Sequence, residues 1–228
     1  MTTHKEHTLP IVNQGAVTFL DVLGWKGIWE KHNDAIDRLY GLVNYIRDLA
    51  DEITAQVSDS HAEARGIETT VLSISDTIAI FTPGPPLHSL QIHAAICSDA
   101  IPKSIERMIP IRGATSYGEF AIKENIMVGP AVDEAASWHE STDWIGVVLT
   151  PSPIFHLNGS IPIVDSLPSF WDKYMHIPFK KNVKHLTHCV KWSYSPDELF
   201  NIFSKMGPQV PEIAPKYLNT LNYLKSTS

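Results

Sequence analysis

Cysteine is scarce. The 228 residues hold two, Cys97 and Cys189. They are isolated in sequence, so neither a disulfide framework nor a CxxC metal or redox motif is available. Both read as buried, inert thiols. Long apolar runs are missing as well. No stretch approaches the roughly 20 residues of a membrane span, and the opening "MTTHKEHTLPIVNQG" holds no apolar leader core. No membrane partner is expected, and the cytoplasm is the expected compartment. Positive charge is in deficit. Lys and Arg total 18 against 25 Asp and Glu, for a formal net charge of −7, which argues against a general affinity for nucleic-acid backbone. A small local site for an anionic ligand, above all one carrying its own metal, stays open. There is no GxSxG elbow, no internal repeat and no low-complexity tract. Eleven histidines are present, but not at ligand spacing: His88 and His93 lie five apart on an expected helix and face different ways.

What is present is ordinary for one cored domain with extensions: 43% hydrophobic and 19% charged residues. Residues 16–22 form an apolar run between Gly15 and Gly24 and read as a buried strand. Apolar positions from Ile28 to Val57 recur at helical spacing, with Asn33 as the expected cap. "IETTVLSISDTIAIFTPG" reads as a tight hairpin of strands 68–74 and 77–82 with Ser75 and Asp76 at its turn. A second helix is expected over 87–108, with Pro102 kinking or breaking it. "IPIRGATSYGEF" alternates as a strand, with "AIKENIMVG" as its hairpin partner. "PAVDEAASWHE" enters a helix through Pro130, and "WIGVVLT" is a further strand. The order is β-α-β-β-α-β followed by β-α-β. It predicts an α+β fold, a ferredoxin-like antiparallel sheet with helices packed on it. Residues 15–150 form this core. Residues 151–228 are expected as a C-terminal extension packed on the same domain, with short strands at "PIVDS" and "HCVKWSY" and helices at "PDELFNIFSKM" and "PKYLNTLNYLKS".

Two acids stand out. Asp21 closes the apolar strand "AVTFLDV", and Asp76 sits where "VLSIS" meets "TIAIF". A carboxylate driven into a core must be paired, protonated or bound to metal. In a β-α-β-β order the first strand lies beside the third and antiparallel to it, which brings Asp21 and Asp76 together. Two adjacent carboxylates repel unless a proton or divalent cation lies between them, so the pattern predicts a hard-metal site. The turn after Asp21, "VLGWKG", offers backbone amides and a following helix, a cradle for phosphate.

"FLDVLGW" resembles the first catalytic strand of class III nucleotidyl cyclases, and "SISDTIAIF" resembles the hairpin carrying their second metal-binding Asp. "IPIRGATSYGEF" resembles their Arg-containing strand, and "VGPAVDEAASW" the segment that brings transition-state residues to the site. All four blocks fall in order within residues 15–150. The resemblance implies two Mn²⁺ or Mg²⁺ ions held by Asp21, Asp76 and the carbonyl of Val22. It implies a ribonucleoside triphosphate substrate contacted by Phe19, Leu23, Gly24, Trp25, Arg112, Tyr117 and Asp133, and a homodimer whose sites are shared between subunits. For Arg112 a salt bridge on the sheet is the competing reading, for Tyr117 a core tyrosine, and for Asp133 a helix-capping or surface acid.

The departures matter as much. Leu72 stands four residues before Asp76, where purine-using relatives carry a base-reading Lys or Glu. Asp133 and Ser137 stand where those relatives carry Asn and Arg. In this compact form the chain is most similar to the pyrimidine cyclases of bacterial antiphage defence, the Pycsar systems. That resemblance implies cyclic UMP or cyclic CMP as a second messenger. A purine cyclase that reads its base differently, a nucleotide sensor without turnover, and an interaction domain with structural acids remain as alternatives.

Overall fold

The computed structural model describes residues 11–31, 33–157, 170–180, 186–206, 211 and 213–227. Strand β1 (Asn13–Val22) leads through a short α1 (Ile28–Lys31) into α2 (Ala35–Ser60). β2 (Thr70–Ile74) and β3 (Thr77–Pro83) form the tight hairpin, turned by Ser75 in the left-handed region at φ 57°. α3 (Pro86–Glu106) is followed by the long β4 (Ile111–Lys123), by β5 (Ile126–Val128) and by α4 (Pro130–Trp138). Gly129 precedes α4 at φ 134°, and a Cβ there would meet the Glu119 carbonyl at 2.5 Å, so the turn admits only glycine. β6 (Gly146–Leu149) and α5 (Pro151–His156) come next. The chain then forms β7 (Trp171–Lys173), β8 (His188–Val190), α6 (Pro196–Lys205) and α7 (Ala214–Thr227).

The sheet order is β2-β3-β1-β4-β6-β8-β7, with β5 on β4. Along the path β2-β3-β1-β4 each strand is antiparallel to its neighbours, in the ferredoxin-like arrangement. β6 joins β4 in parallel, so the full sheet is mixed, not purely antiparallel. α2 and α3 cover one face over a core that includes Leu20, Leu42, Ile46, Ile78, Ile80, Leu90, Ile92 and Ile96. α4 covers part of the other face.

Two local expectations are revised. A short α1 stands apart from α2, and Asp34, not Asn33, immediately precedes α2. Its side chain makes no cap bond. Instead Asp34 receives Arg38 one turn later at 2.8 Å. α3 runs through Pro102, because Ile101 and Ile105 are fully buried and packing outweighs one lost backbone bond. α5 and β7 were not foreseen, and the "PIVDS" segment lies outside the described residues. Beneath the sheet the only fully buried histidine of α3, His93, bonds the hydroxyls of Thr18 at 2.7 Å and Thr82 at 2.9 Å. Those hydroxyls reach on to Thr115 and Thr69.

The C-terminal elements share this sheet. β8 pairs with β6 at Val148 and Cys189, and α7 lays Tyr223 among Trp144, Tyr174 and Trp192, with ring centroids 5.1–6.0 Å apart. Among the described residues, no helix is long and apolar enough to cross a membrane.

Candidate active site

β1 ends in the site. Alternation sends Val17, Phe19 and Asp21 to the α4 face, where Val17 and Phe19 pack with Ala79, Phe81, Phe120 and Ala131. Asp21 lies directly opposite Thr77 on β3 and Arg112 on β4. Asp76 precedes Thr77 at the hairpin turn and is half-buried. The Val22 amide donates to the Asp76 carbonyl at 3.2 Å. Strand order and register therefore bring the two acids to one end of the sheet.

Asp21 is 8% exposed and Arg112 5%. Nε and Nη2 of Arg112 both donate to Oδ2 of Asp21, at 3.0 and 2.9 Å, and Nη1 donates to the Thr142 carbonyl at 2.9 Å. Arg112 is thus in a buried salt bridge. Burial pushes the Asp21 carboxyl above its usual range. The Arg112 guanidinium opposes that by charge and by hydrogen bonding without cancelling it, Glu140 adds to the rise, and His139 opposes it.

A divalent cation at a nucleotide site typically takes one or two carboxylates, with phosphates and water completing its shell. Asp21, Asp76 and the Val22 carbonyl are hard oxygen donors on adjoining segments and fit that pattern. Among the described residues there is no cluster of three or more His, Cys, Asp or Glu side chains to hold an ion unaided, so a metal here depends on ligand phosphates.

The loop after Asp21 offers less than its sequence suggests. The Leu23 amide already donates to the Pro110 carbonyl at 2.8 Å. The amides of Gly24 and Trp25 have no backbone partner among the described residues, and Gly24 takes φ 75° in open space. Phe19 shares the Asp21 face, its ring 6.4 Å from Phe81 and 5.9 Å from His139.

Two residues are not brought to this cluster by the chain's own fold. Tyr117 pairs with Ala16, about 16 Å along β1 from Asp21, and faces the helical side of the sheet. It is 3% exposed, donates to the Gly84 carbonyl at 2.9 Å and rests on His156, so its contacts are those of a core tyrosine. Asp133 is exposed in the first turn of α4, and Ser137 Oγ bonds back to the Asp133 carbonyl at 2.7 Å.

Sequence reading missed Thr142, His139, Glu140 and Lys180. Thr142 pairs with Phe179 in an isolated bridge, the Lys180 amide donates to Ser141 at 2.9 Å, and Asp143 donates to Pro178 at 2.8 Å. This seats Lys180 close enough to Arg112 that burial and the guanidinium push its ammonium below the usual range, with Glu140 opposing. In the sequence Lys180 opens the short basic run "KKNVKH".

No family model matches the sequence, and no curated protein does. Solved structures do. The chain aligns over 81% of its length with 98% of the catalytic core of a rhodopsin-guanylyl cyclase of converted specificity in complex with ATPαS, at 16% identity and a TM-score of 0.51. A bacterial light-regulated adenylyl cyclase aligns over 88% of this chain at 13% identity and a TM-score of 0.49, and the chain spans 59% of that protein's length. The fold is that of class III cyclase catalytic domains.

Proposed function

We propose that the protein is a nucleotidyl cyclase that converts a pyrimidine ribonucleoside triphosphate, UTP or CTP, to its 3′,5′-cyclic monophosphate and pyrophosphate. The product serves as a second messenger in antiphage defence. The observation that carries the reading is that the backbone at Asp21 and Val22 adjoins that at Asp76 and Thr77 at one end of antiparallel β1 and β3, on a fold shared with a cyclase core that binds a nucleotide analogue.

In this reading Asp21, Asp76 and the Val22 carbonyl hold two Mn²⁺ or Mg²⁺ ions. When bound, the ions lower the pKa of the ribose 3′-hydroxyl and offset charge on the leaving group. The free amides of Gly24 and Trp25 take the terminal phosphates. Arg112 and Lys180 supply the positive charge that Asp133 and Ser137 do not. The 3′-oxygen forms a bond to the α-phosphorus as the bond to pyrophosphate breaks, and the hydroxyl proton passes to water.

Leu72 supports the pyrimidine assignment. It packs on the apolar cluster of the α4 face and offers no hydrogen bond to a purine edge. A homodimer with shared sites follows the same reading. Ile126 and Val128 on β5 are 64% and 56% exposed, an apolar edge that a second copy could cover. The test is the substrate profile. Purified protein with Mn²⁺ is given ATP, GTP, CTP or UTP singly, and products are identified by mass spectrometry. A cyclic pyrimidine supports the proposal. A cyclic purine keeps the mechanism and discards the base assignment.

A further inference from the structure

We propose that Arg112 is a built-in counter-cation for Asp21, which a divalent metal must displace, so that metal and triphosphate binding are coupled through this one guanidinium. The inference rests on the metal-site reading above and adds a linkage to it.

Both Arg112 bonds to Asp21 converge on a single oxygen, Oδ2. The third bond, to the Thr142 carbonyl, fixes the fork from its other side. That carbonyl does not float. Asp143 beside it donates to Pro178 and accepts Nδ2 of Asn219 at 2.9 Å on α7, while Ile145 donates to Thr220 Oγ1 at 2.9 Å. Lys216 of α7 reaches the Asp143 carboxylate at 3.3 Å. The C-terminal extension thus braces the loop that holds Arg112 against Asp21.

A docked guanidinium and a divalent ion compete for the same carboxylate. Both are cations, and in a pair this buried their repulsion is weakly screened. Arg112 also has an alternative partner as soon as a triphosphate arrives, because a planar guanidinium pairs well with phosphate oxygens. Transfer of Arg112 from Asp21 to phosphate frees Oδ2 for metal. Each ligand then raises the affinity of the other by the same factor. Lys180 adds a second positive charge beside Arg112, which Glu140 and Asp143 oppose and an incoming anion relieves further.

The test uses the full chain and Mn²⁺ alone, with free Mn²⁺ read by electron paramagnetic resonance. Arg112→Gln is expected to bind Mn²⁺ at least tenfold more tightly than the wild type. Arg112→Lys, which keeps the charge, is expected to stay within threefold of it, and Asp21→Asn added to Arg112→Gln is expected to abolish the gain. A second readout needs no variant. The Arg112 Nε–H signal of ¹⁵N-arginine-labelled wild type is expected to shift when Mg²⁺ and inorganic tripolyphosphate are added together. Wild-type affinity in folded Arg112→Gln overturns the inference, as does an unmoved Nε–H at saturating Mg²⁺ and tripolyphosphate. If that equal affinity is lost in Asp76→Ala, the metal-site reading survives alone. Absence of Mn²⁺ binding from every variant overturns both.

Discussion

His93 gives the protein a specific acid lability. Its ring is fully buried, its two nitrogens are engaged by Thr18 and Thr82, and burial holds its pKa down at about 3. In the unfolded chain the same imidazole titrates near 6.5. Below pH 6.5 the unfolded state therefore binds a proton that the folded state refuses. The sign follows: folding stability falls as pH drops from 6.5 toward 3, by up to about 1.4 kcal/mol per pH unit from this residue. At pH 5 the loss from His93 is about 2 kcal/mol, a large share of the roughly 5–15 kcal/mol that holds a domain together. The comparison variant is His93→Gln, whose amide can still donate to one threonine and accept from the other but carries no titrating ring. Urea unfolding of both proteins at pH 7.5 and pH 5.0 isolates the term, because the remaining histidines are common to both. The gap in stability between the two proteins should narrow, or reverse in favour of the variant, by about 2 kcal/mol at the lower pH. Parallel stabilities at both pH values would refute the argument, for they would mean that the native state accommodates the charged ring.

Other expectations follow from the same contacts. Asp21→Ala leaves Arg112 buried without its carboxylate and should cost about 3–5 kcal/mol, while Asp21→Ala with Arg112→Met should recover most of it. Urea midpoints of the single and double variants decide this. Gly113→Ala drives a Cβ to 2.3 Å from the Phe19 carbonyl, where backbone cannot give way, and should lower stability by about 1–3 kcal/mol, seen as a fall in Tm. Tyr117→Phe removes one bond to the Gly84 carbonyl and should cost about 1 kcal/mol while leaving triphosphate affinity by calorimetry unchanged. Lys180→Ala should weaken triphosphate binding by about tenfold or more with an unchanged circular dichroism spectrum, the loss of one charge-assisted contact.

Much of the core was legible because its signals are local and periodic. The apolar run of β1, the hairpin turn at Ser75 and Asp76, Pro130 at the start of α4 and the helical spacing of α2 each announce their element. Strand order followed from chain order, and with it the placing of Asp21 and Asp76 at one end of the sheet. What stayed hidden depends on register and on distant chain. That Arg112 faces Asp21 and not solvent is set by a residue-by-residue pairing of β1 with β4, which no local pattern encodes. Thr142 and Lys180 reach the site only because residues 178–180 pair with the loop after α4. Tyr117 was a site residue only by resemblance, with a core tyrosine as the competing reading, and it lies five residues from Arg112 on the same strand. A separation of five puts it on the opposite face, and that parity was already present in the sequence.

The central claim is that Asp21 and Asp76 form a metal-dependent site for cyclising a triphosphate. Its most direct test is a mass-spectrometric time course of wild type and Asp76→Ala, each with Mn²⁺ and an equimolar mixture of ATP, GTP, CTP and UTP, with both proteins first shown to be folded. The account predicts a cyclic pyrimidine nucleotide and equal pyrophosphate from the wild type, and neither from Asp76→Ala. A folded wild type that yields no cyclic product, or an Asp76→Ala variant that yields as much, would contradict it.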